Sequence, residues 1–124
     1  MTIVPLFRGP GSAEAPAAVR RALRTVQQTG VLPAELADDL LLAATELVTN
    51  AVNAGAQTVE VLLEVPPPRV KLDVTDDAPG APQLREPGPS DTSGRGLHIV
   101  AALARQWGSL RTETGKTVWA QFSD

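Results

Sequence analysis

The 124-residue sequence contains no cysteine, which removes disulfides, thiolate nucleophiles and sulfur-ligated metals together. Its single histidine, His98, is too little for a histidine-based zinc site. Aromatic side chains make up only 3% of the chain, so the core has to be built from Leu, Val and Ala. No apolar run approaches the roughly 18 residues that a membrane span needs. There is no basic block, and the net charge of −3 argues against a sequence-independent grip on nucleic acid. The opening MTIVPLFRGPGS lacks a charged start followed by an apolar export segment, so a cytoplasmic location is expected. What is present, 43% hydrophobic and 20% charged residues, fits one ordinary globular domain over residues 1–124. Its chemistry must come from carboxylates, amides, glycines and scattered arginines.

The chain divides into eight expected elements. TIVPLF (2–7) reads as an edge strand, because Pro5 cannot donate to a ladder. Ser12 can cap a helix over about 13–28, with Ala17, Val19, Ala22, Leu23 and Val26 at helical spacing. Pro33 stands at a first helical position, and a second helix runs from about 34 to 54, ending near Gly55. TVEVLLEV (58–65) and VKLDVTD (70–76) alternate apolar and polar residues, and PPPR turns between them. They predict a hairpin in a sheet covered on one face. Residues 77–94 read as a Pro- and Gly-rich loop, 95–106 as a helix, and 107–113 with 116–122 as a second hairpin about Thr114-Gly115. The expected architecture is α+β, a two-layer sandwich of a mostly antiparallel mixed sheet covered on one face by three helices.

Three features stand out chemically. On the second helix, Leu36, Leu40, Ala43, Ala44, Leu47 and Ala51 form an apolar stripe, and Glu46, Asn50 and Asn53 lie immediately beside it. That strip has the spacing of a solvated flank. It also suits a nucleotide wall: an asparagine amide oxygen is a hard ligand for magnesium already partly held by phosphates, and a carboxylate one turn earlier can orient a hydroxyl. Asp76 continues the parity of Val70, Leu72 and Val74, so it points to the covered face and needs partners. Those partners are a structural cap or a ligand amine such as that of adenine. Finally, TSGRGLHIV (92–100) places glycines and Arg95 at a helix start, which is either an ordinary junction or an anion site. His98 is assigned no role.

ELVTN on a helix, DDAPG after a strand, GRGL opening a helix and a closing GKTVWAQF occur in a set order. This order resembles the nucleotide-binding fold shared by gyrase B, the large heat-shock chaperones, MutL and sensor histidine kinases (the GHKL group). The closest likeness is to its small single-domain branch, the anti-sigma-factor serine/threonine kinases and their actinobacterial relatives. The resemblance implies that Glu46 is the catalytic glutamate and Asn50 the magnesium-binding asparagine, with Asn53 and Ala54 on the same wall. It implies that Asp76 reads adenine with Ala78 and Gly80 in its loop, that Gly94, Arg95, Gly96 and Leu97 close over the phosphates, and that Thr117 helps hold the adenine end. ATP or ADP with Mg2+ is the implied cofactor set.

The chain departs from the group's pattern in places. Ala78 stands where glycine is usual, Asn53-Ala54-Gly55 replaces a His-Ala ending, and the segment from Asp77 to Gly94 is short and proline-rich. The resemblance further implies a homodimer, a sequestered sigma factor and a phosphorylated antagonist. A nucleotide-binding interaction module without phosphotransfer is the alternative. A histidine kinase would need a dimerising helix with a phosphoacceptor histidine, and gated ATP hydrolysis a second domain. Neither direct nucleic-acid binding nor membrane association is expected.

Overall fold

The computed structural model describes residues 2–79 and 93–122. Along the chain lie β1 (Thr2–Pro10), α1 (Ala15–Gln28), α2 (Ala34–Asn53), β2 (Thr58–Val65), β3 (Lys71–Asp76), α3 (Ser93–Leu103), β4 (Gln106–Arg111) and β5 (Lys116–Gln121). The strands form one sheet in the order β1-β2-β3-β5-β4. Every neighbouring pair is antiparallel, so the sheet is not the mixed one expected.

Strand parity decides what the helices cover. Val59, Val61, Leu63 and Val65 of β2, Leu72 and Val74 of β3, and Val118 and Ala120 of β5 are buried, while their neighbours on the opposite parity are not. Against this face pack Val19 and Leu23 of α1, Leu40, Ala43, Ala44, Leu47, Val48 and Ala51 of α2, and Leu97 and Val100 of α3. Alanines on α2 let the central helix sit close to the sheet, which suits a core poor in aromatic volume.

Helix ends deviate locally from expectation. The N-cap of α1 is Glu14, with no side-chain cap, and Ser12 contributes only its backbone carbonyl, which accepts from the N–H of Ala15. Pro16 in the first turn has already removed one of the donors a cap would satisfy. Likewise Pro33 is the N-cap of α2 rather than its first residue. The other end of α2 closes in a Schellman motif: Ala56 N–H donates to the Ala51 carbonyl, and Gly55 N–H to that of Val52. Gly55 sits at φ +89°, which favours glycine. Helix α3 starts at Ser93 and stops at Leu103, short of 106, because Arg105 N–H already bonds the Gln121 carbonyl and leads into β4.

The uncovered sheet face has its own packing. The Trp119 indole lies across Gly108, with its Cζ2 2.8 Å from where a β-carbon there would stand, and Lys71 Nζ is 5.4 Å from the ring centroid. Asp73, opposite Leu62 and Trp119, is the costly member of this face. Burial pushes its carboxyl above the ordinary value, outweighing the Lys71 ammonium 3.5 Å away. An acid whose folded pKa is raised stabilises the fold below its unfolded value and loses that contribution as pH rises through the folded one. Asp73→Asn should therefore equal or exceed the wild type in melting temperature at pH 7 and flatten the decline as pH rises above the ordinary carboxylate range. Melts at several pH values check this, and a lower melting temperature at pH 7 would mean that the Lys71 pair dominates.

Candidate functional site

Strand register fixes which element ends share one rim of the sheet. Val59 at the start of β2, Asp76 at the end of β3, Lys116 at the start of β5 and Arg111 at the end of β4 lie side by side. Helix α2 ends at Asn53, five residues before Thr58, so its last turn arrives at this rim. The connection is latched there by Asp77, whose Oδ1 accepts from the N–H groups of Gln57 at 2.8 Å and Thr58 at 3.1 Å. Its Oδ2 accepts from the Thr58 hydroxyl at 3.1 Å. The backbone N–H of Thr58, before all else, holds the Asp77 carboxyl below its ordinary pKa. Its contribution to stability is therefore present above the unfolded value and fades as pH falls through the folded one.

Helix α3 runs the other way, packing on α2 and feeding β4 at the opposite rim, where Gln106 pairs with Gln121. Its eleven residues span roughly 16 Å and run back along α2 from that rim. The end of α2 and the end of β3 thus meet at one rim, although they are far apart in the chain.

Within that convergence Asp76 is the most constrained group. It is 5% exposed, and its Oδ1 accepts both the Ala78 N–H at 2.8 Å and the Lys116 ammonium at 3.0 Å. The first bond is an Asx-type closure that shapes the following loop. The second is a cross-strand ion pair, because Asp76 and Lys116 are register partners on the covered face. Lys116 was not among the residues picked out from the sequence. Its signal was available: it shares the parity of Val118, Ala120 and Phe122, a lone charge in an apolar set directly opposite another.

The other expected residues fall in different places. Glu46 and Asn50 are half-buried on α2, whereas Asn53 and Ala54 are exposed at its end. The Asn50 Nδ2 atom is fully buried without a hydrogen-bond partner. An unmatched buried amide is unfavourable by about 1–3 kcal/mol, so a ligand oxygen at that point would relieve it. A half-turn of the amide would instead present Oδ1 there, and hence a cation ligand. Among the described residues no three His, Asp or Glu side chains converge to hold a metal. A magnesium ion at Asn50 would therefore complete its shell with phosphate and water oxygens, as this ion commonly does.

Ala78 is buried beside Asp76, while Leu97 packs in the hydrophobic core, so its side chain belongs to the fold. Gly94, Arg95 and Gly96 form the first turn of α3, whose leading N–H groups have no partner inside the helix. Thr117 does not face the Asp76 side of the sheet: its hydroxyl meets that of Thr75 at 2.7 Å on the uncovered face. Gly80 lies outside the described residues, as does most of the loop expected over 77–94.

No helix among the described residues is long and apolar enough to cross a membrane. No curated protein matches the chain. Compared with known families, residues 10–122 match the histidine kinase-like ATPase domain, from the end of β1 through the whole of β5. A five-stranded antiparallel sheet with three helices on one face is consistent with that domain, and the chain belongs to the histidine kinase-like ATPase family.

Proposed function

We propose that the chain binds magnesium-ATP at the rim where α2 and β3 meet, and regulates a sigma factor or its antagonist by sequestration and serine/threonine phosphorylation. The observation that carries the nucleotide reading is the orphaned Asn50 amide on the same rim as the buried Asp76 carboxylate. One group suits the phosphate end of a nucleotide and the other the base amine. Asn50 and the phosphates would hold magnesium, which supplies neutralisation of phosphate charge when bound. The N–H groups at the start of α3 and Arg95 suit the same anionic end. Glu46, one turn before Asn50, would orient a partner's serine hydroxyl and accept its proton as the oxygen bonds to the γ-phosphorus and ADP leaves. The family resemblance supports a homodimer and a protein antagonist as substrate.

The phosphotransfer arm separates this reading from a purely nucleotide-gated interaction module. Calorimetry with magnesium-ATP should give an affinity that falls roughly 10- to 100-fold in Asn50→Ala, the effect of losing a charge-assisted contact. Glu46→Ala should retain ATP binding and abolish phosphorylation of the antagonist. Binding of ATP by the wild type with no phosphoprotein would favour the module. Asn50→Ala binding as tightly as the wild type would remove Asn50 from the site.

A further inference from the structure

We infer that Lys116 reads the base, acting with Asp76 as a two-point clamp on the Watson–Crick edge of adenine. The inference rests on the nucleotide reading above and extends it to a residue outside the expected set. Lys116 is only 8% exposed, yet its ammonium is not spent on one bond. It donates to Asp76 Oδ1 at 3.0 Å, and a lysine head carries three donors. Asp76 is likewise part-used, since both of its observed bonds fall on Oδ1. The juxtaposed pair can therefore present an acceptor, Oδ2, next to a charged donor, Nζ. Adenine offers the complement along one edge: the exocyclic amine donates and ring N1 accepts.

The ammonium is held there by backbone. Lys116 follows Gly115, and a β-carbon at Gly115 would overlap the Asp76 carbonyl oxygen, so the turn is seated directly on the strand that carries the aspartate. Thr112 N–H donates to the Gly115 carbonyl at 3.0 Å, and Gly115 N–H donates to the Thr112 hydroxyl at 2.9 Å, closing that turn. The neighbouring Thr117, which chemistry alone would favour for the base, is turned to the opposite face. Lys116 is thus the side chain from β5 that meets Asp76.

The decisive probe leaves the protein intact. Wild-type affinity is measured by calorimetry for ATP and for 1-deazaadenosine triphosphate, in which C–H replaces ring N1. Loss of one charge-assisted hydrogen bond predicts about 10- to 100-fold weaker binding of the analogue. Lys116→Thr should bind ATP more weakly and no longer distinguish the two nucleotides. Equal wild-type affinities for the pair overturn the clamp while leaving the nucleotide site standing. So does a Lys116→Thr variant that folds and keeps the full discrimination. Absence of ATP binding to the wild type overturns the nucleotide reading and the clamp with it.

Discussion

Gly115→Ala should be among the most damaging single-methyl additions to this chain. The new β-carbon would overlap the Asp76 carbonyl oxygen and stand 2.7 Å from Asp77 Cα, so the obstacle is main chain on the neighbouring strand. Overpacking typically destabilises by about 1–3 kcal/mol, and more where nothing can yield. For a domain of this size that corresponds to a fall in melting temperature of roughly 10 °C. The site should suffer as well, because relief requires the β4–β5 turn to lift away from Asp76 and to carry Lys116 with it. Gly108→Ala supplies the contrast. Its β-carbon meets the Trp119 indole, with the nearest atom at 2.8 Å, and that side chain can swing over the uncovered face. The expected order of melting temperatures is wild type, Gly108→Ala, then Gly115→Ala. A Gly115→Ala protein melting within about 2 °C of the wild type would show that the turn does not rest on β3.

Most of the fold was legible in the sequence because period carried the information. TVEVLLEV alternates so strictly that β2 spans the expected residues, Thr58–Val65, and of the expected α2 stripe the core buries Leu40, Ala43, Ala44, Leu47 and Ala51, with Val48 added and Leu36 only partly covered. Gly55 announced the end of α2 for the reason found, a left-handed residue closing a Schellman motif. Helix starts were less legible. Ser12 has the right chemistry for a cap, but prolines and backbone carbonyls met the need instead.

The site divides along the same line. The burial of Asp76 follows from its parity on β3, whereas Leu97, expected over the phosphates, packs in the core. Motif likeness puts Thr117 at the adenine end, but strand parity, which turns alternate side chains to opposite faces, sets it on the uncovered side. The parity of Lys116 is legible, but its pairing with Asp76 forty residues away is not, nor is that of Asp77 with the Gln57-Thr58 backbone about twenty away. Such pairings are properties of register, which the local sequence does not contain.

Asp76 should give the largest functional effect, and its variants separate stability from recognition. Asp76→Ala strands the Lys116 ammonium in a site where both side chains are at least nine-tenths buried. Removing one partner of a buried ion pair is destabilising by about 3–5 kcal/mol, so loss of nucleotide binding in that variant would be ambiguous. Asp76→Asn is the informative change. Its amide oxygen can still accept from Ala78 N–H and from Lys116, preserving the loop and a polar partner for the ammonium. The remaining position then becomes an NH2 group, a donor facing the donor amine of adenine. ATP affinity should fall at least roughly 100-fold while the melting temperature changes far less than in Asp76→Ala, because a recognition site left with mismatched buried polar groups discriminates strongly. The double change Asp76→Leu with Lys116→Met completes the series: replacing a buried ion pair by apolar groups of similar volume is often neutral or stabilising. That protein should fold as well as the wild type and bind no ATP. If it or Asp76→Asn binds ATP with wild-type affinity, the base lies elsewhere and the convergence at this rim serves only the fold.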